Sequence, residues 1–184
     1  MELIQTIPGS DYSLVHKRYE NHDGVIVDLG CSTWDWSSLF LGKKRVIGVD
    51  PQEDAIENTE IFKGIIGPIN GSARLKGEGW GAEVSKDDQG ILYDMISWKS
   101  LCEKYNITSV SILKINIEGS EYSLLKSMDV DDFEKIDQIA VSFHDWLHPN
   151  QKQQKDECIS LLENMGYQVN PIYLQLGWYL ALKK

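Results

Sequence analysis

Short apolar runs ending in turn residues alternate along the chain with stretches whose apolar positions recur at helical spacing. Val25 to Val27 is fully apolar and ends in Asp28 and Gly30, the pattern of a buried parallel strand. Arg45 to Val49 predicts a second strand, closing at Asp50-Pro51, where the proline suits the first turn of a following helix. Ile61 to Ile66 predicts a third strand, ending at Gly67-Pro68, and Val110 to Ile115 and Gln138 to Phe143 predict two more. Helical spacing falls elsewhere. Tyr12, Val15 and Tyr19 share a face and predict a leading helix over 11–19, and Thr33 to Leu41 predicts a helix stopped by Gly42. Ser97 is a good N-cap for a helix carrying Trp98, Leu101, Cys102 and Tyr105 on one side. Glu121 to Met128 predicts a short helix, and Cys158, Leu161, Leu162 and Met165 face one way on another that stops at Gly166. Seven glycines between Gly64 and Gly90 argue against helix there, leaving short extended pieces at Ala73–Leu75 and Ile91–Met95 with a loop between. Tyr167 to Ile172 and Gly177 to Leu182 close the chain as an antiparallel pair.

This alternation predicts an α/β fold: a mostly parallel, Rossmann-like sheet with helices on both faces and a C-terminal antiparallel hairpin, the layout of class I methyltransferases. The 184 residues suit one domain, 1–184, with 1–23 as a short leader. Hydrophobic residues make up 42% and charged residues 25%, a globular composition. The net charge of -10 argues against a nucleic-acid or anionic-membrane partner. No apolar run approaches the roughly 20 residues of a membrane helix, and the N-terminus lacks a signal pattern, so a cytoplasmic location is expected. Cys31, Cys102 and Cys158 are too widely spaced for zinc or a disulfide framework.

In an open α/β sheet, ligands bind beyond the C-terminal strand ends. Gly30 permits a tight turn and a close backbone approach to a ligand, and Asp50, 22 residues after Asp28, can accept hydrogen bonds from both ribose hydroxyls of an adenosine. The GxGxxG pattern of a dinucleotide site is missing, because Ser32 and Asp35 stand where its further glycines would. A cofactor without a pyrophosphate, S-adenosylmethionine, therefore fits best. The residues expected at it are Asp28, Gly30, Cys31, Ser32, Asp50, Pro51, Gly67 and Asn116. His144, at the end of the fifth strand, is the best-placed general base for a hydroxyl nucleophile, or else a structural histidine capping that strand. Glu118 is expected to orient the acceptor or the cofactor amino group, and Glu121 to begin its helix, where a carboxylate favours the dipole. No ligand set is spaced tightly enough to assign a metal. Trp80, between Gly79 and Gly81, is either a lid over the ligand or an anchor for its loop.

The segment Lys114-Ile115-Asn116-Ile117-Glu118-Gly119-Ser120-Glu121, with Leu124 and Leu125 beyond it, resembles the LKIDxEGxExxxL signature of the FkbM family of S-adenosylmethionine-dependent methyltransferases. Ile139 to Trp146, Val25 to Ser32, Val46 to Pro51 and Asn70 to Leu75 are similar to other segments of that family, so the resemblance runs in order from Gly24 to the C-terminus. Three positions depart from the pattern: Asn116 stands for its aspartate, Ser32 for an asparagine and Ser142 for a glutamate. The resemblance implies O-methylation of a hydroxyl on a sugar or natural product, with a small-molecule or glycan acceptor. The short leader leaves little material for an acceptor-binding cap, so the pocket is either open or completed by a second subunit of a homo-oligomer. Asn116 and Ser142 motivate the alternative, a catalytically silent S-adenosylmethionine-binding domain acting through a partner. A third reading, another nucleotide cofactor on the same fold, is disfavoured by the missing glycines.

Overall fold

The computed structural model describes residues 2–5, 14–77, 82–85, 87, 89–146 and 149–184. Thirteen strands and four α-helices follow in chain order among them: β1 (Leu3–Gln5), β2 (Leu14–His16), β3 (Val25–Leu29), β4 (Val46–Val49), β5 (Thr59–Phe62), β6 (Ile65–Gly67), β7 (Gly71–Lys76), β8 (Glu83–Val84), β9 (Ile91–Ser97), α1 (Trp98–Tyr105), β10 (Val110–Ile115), α2 (Glu121–Ser127), α3 (Val130–Glu134), β11 (Gln138–Ser142), α4 (Lys152–Asn164), β12 (Tyr167–Tyr173) and β13 (Trp178–Lys183).

The fold is mixed α/β. A seven-stranded sheet has the order β12-β13-β11-β10-β3-β4-β5. Strands β5, β4, β3, β10 and β11 run parallel, and β13 and β12 add an antiparallel hairpin on the β11 side. Its inner strands are buried on both faces, and alternate side chains divide between two cores. Val27, Leu29, Ile47, Val49, Ile139 and Val141 join one, with Trp98, Leu101, Tyr122, Leu124, Phe133 and Leu162 from the four helices. Ile26, Val46, Ile112, Ala140 and Leu180 join the other, with Val15, Tyr19, Trp34, Trp36 and Phe40. No helix among the described residues is long and apolar enough to cross a membrane.

The second core corrects the expectation of helices on both faces. The described residues cover that face with the β1–β2 hairpin and two 3-10 turns, Lys17–Asn21 and Ser37–Phe40. Of the expected leading helix, residues 11–13 lie outside the described residues, and the rest is β2 and a 3-10 turn. Tertiary hydrogen bonds decide it. The Gln138 amide bonds both the N–H and the C=O of His16, and Arg18 clamps Asp137 and the carbonyl of Lys183. The expected helix from Thr33 to Leu41 is instead turns and the second 3-10 segment. Trp34 takes a left-handed φ of 62°, lies over Gly48, where a Cβ would come within 2.4 Å of its ring, and donates its indole N–H to the carbonyl of Asp54. The expected helix at Pro51 is absent: residues 51–58 are bends, irregular chain and a turn that lead directly into β5.

The expected third strand is also broken. Gly64 kinks it, because a Cβ there would meet both the Phe62 ring and the Asp94 carbonyl at 2.5 Å, and β6 leaves the central sheet for a second one. That sheet has the order β6-β9-β7-β8, and the residue pattern does not predict it as a sheet. Elsewhere Ser97 accepts the Ser100 N–H at the start of α1, and Trp98, Leu101 and Cys102 are buried along it. After α2 the chain restarts as α3 behind a capping box of Asp129 and Asp132.

Candidate functional site

Strand order reverses between β3 and β10, since the chain steps outward to β4 and β5 on one side and to β11 on the other. This is the place where an open sheet leaves a crevice at its C-terminal edge. A cavity of about 580 Å³ opens there. Its floor is formed by Gly30, Cys31 and Ser32 after β3, Asp50 and Pro51 after β4, Asn116 to Glu118 after β10, and Ser142 and His144 at the end of β11. Leu75, Val84, Ile65 and Ile66 of the second sheet form one wall, and Leu176 and Trp178 form another.

The turn after β3 has little freedom. Gly30 takes φ 74°, and a Cβ on it would sit 2.0 Å from the carbonyl oxygen of Asn116. Its N–H donates to Val49 and its carbonyl accepts from Lys114 Nζ at 2.7 Å. Asp50 is held as tightly. One carboxylate oxygen accepts the N–H groups of Gln52 and Glu53, and the other accepts that of Ser32 at 3.1 Å, which ties the two strand ends together. Among the described residues these bonds engage three of the roughly four lone-pair positions of that carboxylate, so one position rather than two is open to the expected ribose hydroxyls.

Two of the expected cofactor residues lie elsewhere. Asp28 is fully buried beneath the turn, paired with Lys114 Nζ at 2.7 Å and accepting the Ser37 hydroxyl at 2.8 Å. Burial raises its carboxyl pKa despite Lys114 beside it. Gly67 sits inside the second sheet, away from the cavity lining, where a Cβ would strike Met95 Sδ at 2.3 Å. Cys31 lines the cavity but is 3% exposed, and burial, together with Asp28 and Asp50, drives its thiol pKa well up. It is a packing thiol. Trp80 lies outside the described residues.

The opposite end of the cavity holds a cluster that the sequence only partly suggests. His144 is buried, and its Nδ1 lies 2.8 Å from Glu121 Oε1 while its Nε2 faces Glu118 Oε2 at 3.5 Å, an ion-pair distance rather than a good hydrogen bond. Glu121 also accepts the N–H of Ile117 on Oε1 and that of Gly119 on Oε2. Those bonds pin a strained turn in which Glu118 takes φ 52° and Gly119 φ 95°. Burial works against charge on His144, but the contacts with Glu118 and Glu121 outweigh it and push the imidazole pKa up to about 10. Both ring nitrogens face carboxylate oxygens, which only accept hydrogen bonds, so the arrangement favours the charged ring and stands against the general-base role expected of His144.

The raised pKa has a consequence for stability. A group titrating at about 10 when folded and at 6.5 ordinarily stabilises the fold fully below pH 6.5 and loses that contribution as pH rises towards 10. The gap in urea midpoint between the wild type and His144→Gln is expected to be widest at pH 6 and to shrink steadily by pH 10. A gap that does not change with pH would contradict the charged assignment.

Residues that sequence reasoning passes over complete the site. Lys114 holds the Gly30 carbonyl. Trp36 lines the cavity with its indole N–H buried and without a hydrogen-bond partner among the described residues. Trp146, 45% exposed, stands at the rim beside His144, with ring centroids 6.1 Å apart. The described residues include no group of three or more His, Cys, Asp or Glu that could hold a metal ion.

The described fold is similar to the crystal structure of methyltransferase FkbM from Methylobacillus flagellatus KT, with a TM-score of 0.56 and 17% sequence identity. The likeness covers 87% of this chain and 43% of that one, so the chain spans less than half the length of that protein. No curated protein matches the chain. A family profile described as the methyltransferase FkbM domain matches residues 47–169, a segment that carries Asp50, Asn116, Glu118, Glu121 and His144. Because that segment is well over half of the sequence, the chain belongs to the FkbM methyltransferase domain family.

Proposed function

We propose that the protein is an S-adenosylmethionine-dependent methyltransferase of Rossmann-like, class I layout that transfers a methyl group to a hydroxyl of a sugar or small natural-product acceptor. The observation that carries this reading is Asp50. Its carboxylate is fixed by three backbone N–H groups at the cavity edge, beside a glycine turn with no room for a side chain. The cavity volume suits a small molecule. Asp35, Asp50, Glu53 and Glu118 around it favour a ligand that carries a sulfonium and an ammonium. The indole N–H of Trp36, without a hydrogen-bond partner among the described residues, supplies a buried donor in the cavity lining. A dinucleotide fits less well, because turns and a 3-10 segment follow Gly30 in place of a helix N-terminus for its pyrophosphate.

In this reading Asp50 would hold the ribose, and the Gly30–Ser32 turn would supply backbone contacts to the cofactor. When bound, S-adenosylmethionine supplies a methyl group activated by the adjacent sulfonium. The chain's own contribution is alignment and exclusion of water. Leu176, Trp178 and the second-sheet wall close the sides of the cavity, while the Glu118–His144 end receives the acceptor.

Calorimetry with S-adenosylmethionine and its demethylated product tests the proposal. Binding of both is expected, with Asp50→Asn weakening it about tenfold or more, as the loss of a charged hydrogen bond implies. No binding of either would remove the methyltransferase reading. Binding without transfer of labelled methyl to any acceptor pool would favour the silent domain. Ser142, which stands where the family has a glutamate, points the same way, since its hydroxyl is committed to the carbonyl of Leu176.

A further inference from the structure

We propose that Glu121 positions Glu118 and His144 as one proton-accepting unit, in which Glu118 takes the acceptor's proton and His144 remains an imidazolium. This rests on the methyltransferase reading and goes beyond it, because it gives the buried Glu121 a task and moves the base from the histidine to the carboxylate.

The geometry argues for a unit. One buried carboxylate makes three contacts: the N–H on either side of Glu118 and the ring of His144. Glu121 is 0% exposed and does not line the cavity, so it acts only through its neighbours. Glu118 does line the cavity, its side chain is 22% exposed, and it sits in a left-handed conformation that a side chain with a Cβ adopts only under strain. Something must hold it there, and the two N–H bonds to Glu121 do so. The helix dipole alone would have been satisfied by a solvent-facing carboxylate at the start of α2. Burial and three directed contacts require more.

The charges argue for the direction of proton flow. Both ring nitrogens of His144 face carboxylate oxygens and the ring is buried, whereas the Glu118 side chain is 22% exposed at the cavity, so Glu118 is the member placed to receive the proton. The next residue along the chain, Asp145, is paired with Lys155 at 2.5 Å. In the step, the acceptor O–H bond breaks as its oxygen bonds the methyl carbon. The C–S electron pair stays on the sulfonium donor's sulfur, and the proton passes to a Glu118 carboxylate oxygen.

The test uses the full chain labelled in its histidine rings and free of cofactor, with the His144 signal assigned through His144→Gln. An NMR titration is expected to show His144 still charged at pH 8. Glu121→Gln is expected to lower its midpoint by more than one pH unit, and Glu121→Asp to restore part of that shift. A wild-type His144 that is neutral at pH 7 overturns the proposal, whether or not the variants fold. Labelled-methyl transfer from S-adenosylmethionine to a pool of sugar acceptors is the second readout. Its rate is expected to be flat between pH 7 and 9 and to fall roughly 100-fold in Glu118→Gln. A rate that climbs about tenfold per pH unit across that range would mark neutral His144 as the base and sink the proposal. Absence of cofactor binding in the wild type would sink the methyltransferase reading instead and leave the titration result standing.

Discussion

Gly30→Ala is expected to destabilise the protein by more than about 4 kcal/mol and to eliminate cofactor binding, whereas Gly42→Ala costs only about 1 kcal/mol. The two glycines have nearly the same backbone, φ 74° and φ 73°, so the left-handed strain of adding a Cβ is common to both. Their surroundings differ. Nothing lies within 4 Å of a Cβ built on Gly42, while one on Gly30 would sit 2.0 Å from the Asn116 carbonyl oxygen and 3.1 Å from its carbon. Both offending atoms are backbone, so relief requires moving the β10 strand end. Any such move displaces the Asn116–Glu118 turn, and the effect reaches the Glu118–His144 end of the cavity as well as the Asp50 end. Urea unfolding of the two variants isolates the clash from the strain, and calorimetry with S-adenosylmethionine reads its functional effect. Losses within about 0.5 kcal/mol of each other would show that the close packing of the two turns is unimportant.

The same close approach of strand ends explains why much of the site is legible in the amino-acid sequence. Gly30, Ser32, Asp50, Asn116, Glu118 and His144 each follow a short apolar run, and parallel pairing of those runs brings their ends to one edge. Apolar run length is a local signal, and it suffices there. The expectations that fail depend on contacts between distant residues. Thr33 to Leu41 has helical spacing, yet the seat for Trp34 on Gly48 and the hydroxyl bond of Ser37 to Asp28 pull it into turns. The second sheet is only partly legible: Ala73–Leu75 and Ile91–Met95 are expected as extended pieces and lie within β7 and β9, but nothing local says that these pair with each other or that β6 and Val84 of β8 join them. Gly67 carries the strand-end glycine pattern but serves packing against Met95. Glu121 is legible in type but not in role. A carboxylate three residues after Glu118 can reach back to the N–H groups of the turn before it, as in a capping box, and nothing local says that it also reaches His144.

Lys114 shows how a local oddity can point to a distant partner, and it carries the second large expected effect. It is the one charged residue in the fully buried strand β10, and in the parallel register it lies directly opposite Asp28 on β3. The pair is almost wholly out of water, at 6% and 0% side-chain exposure, and 2.7 Å apart. Lys114→Met leaves Asp28 as an uncompensated buried carboxyl with only Ser37 bonded to it, and a loss of about 3–5 kcal/mol is expected. Replacing both partners, as Lys114→Met with Asp28→Leu, removes the charge problem and is expected to recover most of that stability, because two apolar side chains of similar volume pack acceptably in such a place. Cofactor binding is expected not to recover. Lys114 Nζ also donates to the Gly30 carbonyl at 2.7 Å and lies 5.9 Å from the Trp36 ring centroid, so either substitution set releases the turn that faces the ligand. Urea unfolding of the wild type, Lys114→Met, Asp28→Leu and the double variant gives the coupling between the two sites, and calorimetry of the double variant separates stability from binding. Additive losses, or a double variant that binds S-adenosylmethionine as the wild type does, would reduce Lys114 to a structural ion-pair member with no part in shaping the site.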